Sequence, residues 1–426
     1  MCFLCESVFC TCDDNKKEQN FNGFQKHTSK DNKKSGNKGN VLFFRLYFCG
    51  LSMKYGIIGG GPAGLYVAYL LTQAGIDCML FDHQIPFEKP CGGGVTSKAF
   101  THFEILKDLP IYSKTIHDFK FIAPNDRSVK IACEHPLEIV SRKTLSEYML
   151  KKCEDVGVKW ISEEVKKIEN KEEQFEIDTH KDNCYTFDFI IGADGAQGIS
   201  RRFLGAPPFL KSRYSGIGYY IDGLNENEAV IKFYKNRTGY LWVFPRQDHS
   251  SVGFFSLAGS FSKELAYNTV KEFLSTYYPD YQINPKRYYS ATIPIIWEWK
   301  REHIQGKNWA LIGDAGGFTD AITGEGIYYA FKSAEILAQA IIEKDTERYY
   351  ERCEPVIVEL QKAASIFPKF YKTWFTNAMV LMAQRSPFIR TVLVDLILGQ
   401  QNYTTLKATL KKNIPKVLKE IIVLKR

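Results

Sequence analysis

Three glycines stand at a spacing suited to phosphate, in the run Gly59-Gly60-Gly61-Pro62-Ala63-Gly64. Gly59 makes the tight exit from a strand. Gly61, next to Ala63, lets the backbone close on a pyrophosphate, and Gly64 lets the following helix pack against the strand. The phosphates then sit at the positive end of that helix. Asp82 follows 18 residues beyond Gly64 and is placed to accept a hydrogen bond from a ribose hydroxyl. The pattern predicts a bound dinucleotide without saying which one.

The elements that must position this turn are legible around it. Tyr55–Gly59 reads as a compact apolar strand and Gly64–Ala74 as a helix ended by Gly75. Cys78–Phe81 reads as a second strand closed by Asp82, completing a βαβ unit. Extended pieces follow near Phe119–Ala123 and Val129–Ile131. A helix is expected from about Arg142 to Asp155, stopped by Gly157, with strands around Val165–Ile177 and Thr186–Ile191. Residues 214–300 are aromatic-rich and read as largely β. Trp309–Ile312 resumes the first domain, Gly326–Glu343 reads as a helix, and the chain is helical and increasingly basic from Arg348 onward.

Composition bounds the class. The chain has 426 residues, 45% hydrophobic and 24% charged, which suits a soluble protein of two or three structural units. It has no uninterrupted apolar run of spanning length. The net charge of +8 is read as a solvated basic surface rather than a nucleic-acid footprint. Six cysteines scattered beyond Met53 suit free thiols in a reducing cytosol. Residues 1–52 read as an extension: Lys16 to Asn40 has no hydrophobic period, and Cys2, Cys5, Cys10 and Cys12 fit no zinc spacing. Met53 is the expected start. From Gln401 to Arg426, seven basic residues (Lys407, Lys411, Lys412, Lys416, Lys419, Lys425, Arg426) face one acid, Glu420, with Leu and Ile interleaved. Two readings stand: an amphipathic helix against the inner face of a membrane, or a solvated terminal helix of a cytoplasmic protein.

Two further segments resemble the motifs of the para-hydroxybenzoate hydroxylase-like flavoproteins. One is Asp188–Gly195 followed by Ser200-Arg201-Arg202. The other is Ala310-Leu311-Ile312-Gly313-Asp314-Ala315 followed by Gly324-Glu325-Gly326-Ile327. The resemblance implies FAD, with Asp314 on its ribitol or ribose and Asp194 near the pyrophosphate and the nicotinamide route. Gly324 and Gly326 open a helix at Ile327, whose amides and dipole would face the flavin pyrimidine ring. Arg142 begins a helix where the family often sets an arginine against FAD; a surface arginine is the other reading.

Lys89-Pro90-Cys91-Gly92-Gly93-Gly94-Val95 resembles the signature of the geranylgeranyl reductase family. Tyr240-Leu241-Trp242-Val243-Phe244-Pro245 is similar to its Tyr-x-Trp-x-Phe-Pro motif, which lines a lipid cavity. Arg237 stands where that motif has an earlier proline, a departure that bears on the cavity's shape. The likeness covers roughly Met53 to Glu343. Gly92 and Gly93 let the backbone lie flat against a ring system. Cys91 is either a packing residue beside the flavin or a thiol that shapes or protonates the reacting face. Tyr219, Tyr240, Trp242, Phe244, Trp297 and Trp299 are either core or the wall of an apolar pocket.

The resemblance implies an α/β fold. A Rossmann-like FAD-binding domain (53–205 and 301–345) would carry an inserted antiparallel β-sheet substrate domain (206–300) and a C-terminal helical region (346–426). The implied reaction is reduction of carbon–carbon double bonds in a prenyl lipid, with NADPH or reduced ferredoxin as electron donor. Tyr240, Cys91 or water would supply the proton, and Trp242 would line the pocket. The rival readings are a flavin monooxygenase, a halogenase and a catalytically silent flavin-binding protein.

Overall fold

The computed structural model describes residues 53–209, 213–257 and 262–423. The expectations for residues 1–52, including the cysteine cluster and the start at Met53, lie outside the described residues or at their edge. Lys425 and Arg426 also lie outside them.

A six-stranded sheet holds the nucleotide fold. Its order is Gln305–Gly306, Trp309–Leu311, Phe189–Gly192, Tyr55–Ile58, Cys78–Phe81, Lys159–Ile161. All neighbours are parallel except the edge pair Gln305–Gly306 with Trp309–Leu311. The two central strands, Tyr55–Ile58 and Phe189–Gly192, are buried at every residue, as a parallel strand covered on both faces must be. Helix Pro62–Gln73 follows the first strand with proline at its first position, where a missing N–H costs nothing. It packs between helices Arg142–Val156 and Ile327–Ile342. Ser141 caps the first of these by accepting from Thr144 N at 3.0 Å, and Gly157, at φ +82°, ends it.

The second sheet has eight strands in the order Tyr288–Pro294, Arg213–Asp222, His249–Leu257, Gly239–Pro245, Glu228–Lys232, Lys114–Ile122, Ser128–Ile139, Gly94–Thr96. Three of these strands, at 94–96, 114–122 and 128–139, come from the first stretch of chain (53–205) rather than from 206–300. Glu228–Lys232 pairs in parallel with Lys114–Ile122, and that pairing welds the inserted segment to the first. The alternation along Gly239–Pro245 divides its side chains between the faces. Leu241 and Val243 pack with Ala266, Val270 and Phe273 of helix Lys263–Tyr277, while Tyr240, Trp242 and Phe244 belong to the cluster on the other face. That helix, capped by Ser262, interrupts the β-rich stretch expected over 214–300.

Helices Glu354–Phe370, Thr373–Arg385 and Pro387–Ile397 cover that second face, through Phe367, Phe370, Val380, Leu393 and Val394. Tyr403–Lys412 and Ile414–Val423 follow. No helix among the described residues is long and apolar enough to cross a membrane.

Candidate flavin and substrate site

The glycine turn divides its labour by position. Gly59 has φ +101°, and a Cβ there would meet the Asp194 Cα at 2.6 Å. A Cβ on Gly64 would lie 1.9 Å from the Gly59 carbonyl oxygen, so helix Pro62–Gln73 meets the strand only because Gly64 has no side chain. Gly61 is different: its Cβ would meet only the Ala193 carbonyl oxygen, at 3.9 Å. The space above Gly61 is therefore open, at the N-terminus of the helix. Asp82 braces the turn, its Oδ2 accepting from Gly60 N at 2.7 Å and its Oδ1 from Gln84 N at 2.8 Å.

The opposite wall is built after strand Trp309–Leu311. Gly313, at φ +56°, turns the chain so that Asp314 accepts from Lys89 Nζ at 2.8 Å. Burial acts to raise the Asp314 carboxyl, but the Lys89 ammonium and the Arg142 guanidinium outweigh it and hold it below the usual carboxylate range. A Cβ on Gly326 would come within 3.1 Å of Asp314 Oδ1, so the start of helix Ile327–Ile342 lies directly against this carboxylate.

Three tyrosines grip the loop before that helix. Tyr240 donates to the Thr323 carbonyl, Tyr371 to that of Ile322, and Tyr403 to Asp320 Oδ1 at 3.2 Å. Asp320 also accepts from Ile322 N and Thr323 N, at 2.7 and 2.9 Å. Within the same loop, Thr96 donates to Glu325 Oε1 at 2.7 Å. Burial pushes the Glu325 carboxyl up to about 7, with the Thr96 bond and Lys98 opposing and Asp320 adding to the rise.

The Cys91 loop lies between the two walls. Gly93 has φ +89°, and a Cβ there would meet the Val140 oxygen at 2.3 Å. A Cβ on Gly92 would strike the Phe244 ring at 2.6 Å, so the loop backbone lies flat on the aromatic strand. Cys91 Sγ accepts from Gly93 N at 3.4 Å, folding the thiol over its own loop. Behind it Arg246 binds Glu88 at 2.8 Å and the Cys91 carbonyl at 3.4 Å.

These walls enclose a cavity of about 220 Å³. One end is lined by Gly61, Ala63, Arg142, Gly313 and Asp314, and the middle by Cys91, Gly92, Gly93, Gly324, Gly326 and Ile327. The other end is apolar, with Tyr240, Trp242, Phe244, Tyr289, Leu393 and Ile397. Gly59, Gly64 and Asp82 shape the turn without lining the cavity. Asp194 also stands off it: Ala193 and Gly195 line the wall, while its Oδ2 accepts from Ser200 N at 2.8 Å and burial pushes its carboxyl upward. Tyr219 packs with Tyr267 and Tyr288 on the far side of the sheet. Trp299 packs on Phe318, and Trp297 is partly exposed; neither lines the cavity.

Sequence reasoning passed over the side chains of Lys89, Thr96 and Glu325 and the C-terminal residues Phe370, Tyr371, Leu393 and Ile397. The signal for Glu325 is an acid between two glycines at a helix start, a pattern that by itself points to backbone amides. The C-terminal residues carried no signal beyond ordinary helical periodicity.

The residues present fit FAD. Gly61 leaves room where a pyrophosphate needs it. Arg142 is 8% exposed, and its Nε has no hydrogen-bond partner among the described residues, so a buried cation at the cavity wall awaits an acceptor. With a turn that cradles phosphate, an ionised Asp314 and a helix start facing the cavity, fold and site define a flavoprotein.

Residues 53–271 match the FAD binding domain family model, so the chain belongs to that family and is an FAD-dependent oxidoreductase. Its curated relatives narrow the likeness. It is 28% identical to an uncharacterized protein of Methanosarcina barkeri, over 74% of this chain and 82% of that one. It is 27% identical to the chloroplastic geranylgeranyl diphosphate reductase of Arabidopsis thaliana, over 75% of each. It is 26% identical to digeranylgeranylglycerophospholipid reductase 2 of Methanosphaera stadtmanae, over 68% and 78%. Among solved structures it shares its fold with a geranylgeranyl bacteriochlorophyll reductase-like protein of Thermoplasma acidophilum (TM-score 0.64, 17% identity, 87% and 99% covered). It shares it equally with the flavin-dependent brominase Bmp2 (TM-score 0.67, 17% identity, 85% and 99% covered).

Proposed function

We propose that this protein reduces carbon–carbon double bonds of a prenyl chain in an isoprenoid lipid. One observation carries the reading: the cavity that Gly61 and Asp314 line extends to the aromatic and aliphatic wall of Trp242, Phe244, Leu393 and Ile397. A long apolar chain fits that continuation better than a small polar substrate does. The names of the relatives point the same way.

In this reading Gly61, Ala63 and Arg142 hold the FAD pyrophosphate. Asp314, kept ionised by Lys89, and Asp82 take its ribitol and ribose hydroxyls, with Asp194 fixing the turn behind them. Gly324, Gly326, the N-terminus of helix Ile327–Ile342 and Cys91-Gly92-Gly93, which line the same cavity, would hold the flavin ring. FAD, bound and reduced by NADPH or ferredoxin, supplies a hydride, and saturating each double bond also takes one proton. The chain's part is to exclude water, align the alkene and supply that proton.

Glu325 joins Tyr240 and Cys91 as a proton source, since its carboxyl on the cavity wall stays neutral up to about pH 7. Turnover should then fall as pH rises through about 7. Glu325→Gln should flatten that limb while FAD stays bound. A wild-type rate that holds level to pH 9 would remove Glu325 from the proton path.

The reaction itself is tested anaerobically, with chemically reduced protein and geranylgeranyl diphosphate or a digeranylgeranyl glycerolipid, read by mass spectrometry. Gain of hydrogen in pairs is expected. In a parallel arm with air and bromide, gain of oxygen would make it a monooxygenase, and bromide incorporation a halogenase like its structural neighbour. No change with any substrate would favour a silent flavin carrier.

A further inference from the structure

The last helix presents an apolar face that the other described residues do not cover. On Ile414–Val423, Ile414, Leu418 and Ile422 recur every fourth residue and are 52%, 55% and 63% exposed. The opposite face is engaged. Val417 is buried, and Glu420 accepts from Ser386 and from Phe388 N, at the start of helix Pro387–Ile397. Glu420, the one acid between Tyr403 and Val423, is thus spent inward. Lys407, Lys411, Lys412, Lys416 and Lys419 are all exposed. An apolar stripe flanked by cations, with no exposed acid, has the chemistry of an anionic lipid interface.

The neighbour gives the stripe a purpose. Helix Pro387–Ile397, which Glu420 caps, puts Leu393 and Ile397 into the cavity wall. A single helix therefore separates the stripe from the apolar end of the site. A second copy of the chain is a poor occupant: one ten-residue helix falls short of the roughly 1,000 Å² a stable interface buries, and pairing two stripes would bring like charges together.

We infer that Ile414–Val423 seats the protein on the surface of a bilayer bearing anionic headgroups, with the apolar end of the cavity one helix from the lipid. The seat rests on the stripe and its lysines alone; its use for lipid delivery rests on the prenyl-reductase reading.

The test is sedimentation of the full-length, FAD-loaded protein with sucrose-loaded vesicles of phosphatidylcholine, with or without phosphatidylglycerol. Neither lipid carries a prenyl chain, and no turnover is measured, so failure here is separate from failure of the proposed reaction. Binding is expected only with phosphatidylglycerol and should be lost at high salt. Ile414→Ser/Leu418→Ser/Ile422→Ser should abolish it. Lys411→Gln/Lys416→Gln/Lys419→Gln should weaken it by about fivefold per lysine removed. Retained FAD and unchanged circular dichroism would show both variants folded. Wild-type sedimentation of either folded variant, or equal binding to both vesicle types, overturns the inference. So does a wild-type dimer that the serine variant converts to monomer without any loss of vesicle binding.

Discussion

Gly61→Ala should weaken FAD binding while leaving the apoprotein's stability intact, and Gly64→Ala should weaken both. The two glycines lie three residues apart in the same turn, yet an added methyl group meets different things. At Gly61 it meets only the Ala193 oxygen, at 3.9 Å, and φ there is −70°, open to any residue. Apoprotein stability should stay within about 0.5 kcal/mol of wild type. The methyl group would instead occupy the space over the helix N-terminus, and FAD affinity should fall roughly tenfold or more, about 1.4 kcal/mol. At Gly64 the methyl carbon would sit 1.9 Å from the Gly59 oxygen, backbone that has no rotamer to change. The helix must back away from the strand, at a cost of about 1–3 kcal/mol, and the phosphate cradle moves with it. Urea unfolding of both apoproteins and titration of flavin fluorescence separate the effects. Wild-type affinity in Gly61→Ala would mean that the pyrophosphate does not lie over this turn.

The turn was legible because its signal is local. Strand, glycine spacing, helix and Asp82 fall within thirty residues, and each is fixed by neighbours along the chain. Helix Arg142–Val156 was legible for the same reason, with Gly157 as its stop. The eight-stranded sheet was not. Glu228–Lys232 finds Lys114–Ile122 across more than a hundred residues, and no periodicity announces a partner at that distance. Helix Lys263–Tyr277 was hidden by its company. Its Tyr, Thr and Val residues favour strands in isolation, but Ala266, Val270, Phe273 and Leu274 present one apolar stripe to the back of the sheet. Glu325 shows the limit at the site itself. A carboxyl near neutrality needs burial deep enough to outweigh the bond from Thr96 and the charge of Lys98, and tertiary structure alone provides that burial.

Asp194 and Arg201 belong to one motif, and their side chains make contacts whose partners lie outside it or along it, which the motif alone does not specify. Arg201 is 7% exposed, with Nε on the Ala315 carbonyl at 3.1 Å, Nη2 on that of His303 at 2.8 Å, and Nη1 on that of Pro207. Its guanidinium lies 3.9 Å from the centre of the Phe209 ring. Burial pulls it down to about 10, with Asp194 opposing, so it stays a cation at neutral pH. One side chain thus ties the turn that carries Asp314 to the segment entering the second sheet. Arg201→Met keeps the volume and loses every donor, leaving three carbonyls short of a partner. The expected cost is about 3–5 kcal/mol, at the upper end for one substitution. Arg201→Lys, a single point donor without the planar fork, should recover only a fraction. Arg202 is the internal control: it is exposed, its guanidinium rests 4.7 Å from the Phe203 ring, and Arg202→Ala should stay within about 0.5 kcal/mol. Because Arg201 holds the Asp314 turn, Arg201→Met should also weaken FAD retention at temperatures where the protein is still folded. A stable Arg201→Met variant that keeps its flavin would mean that the three carbonyls find water instead, and that the turn is held by the sheet alone.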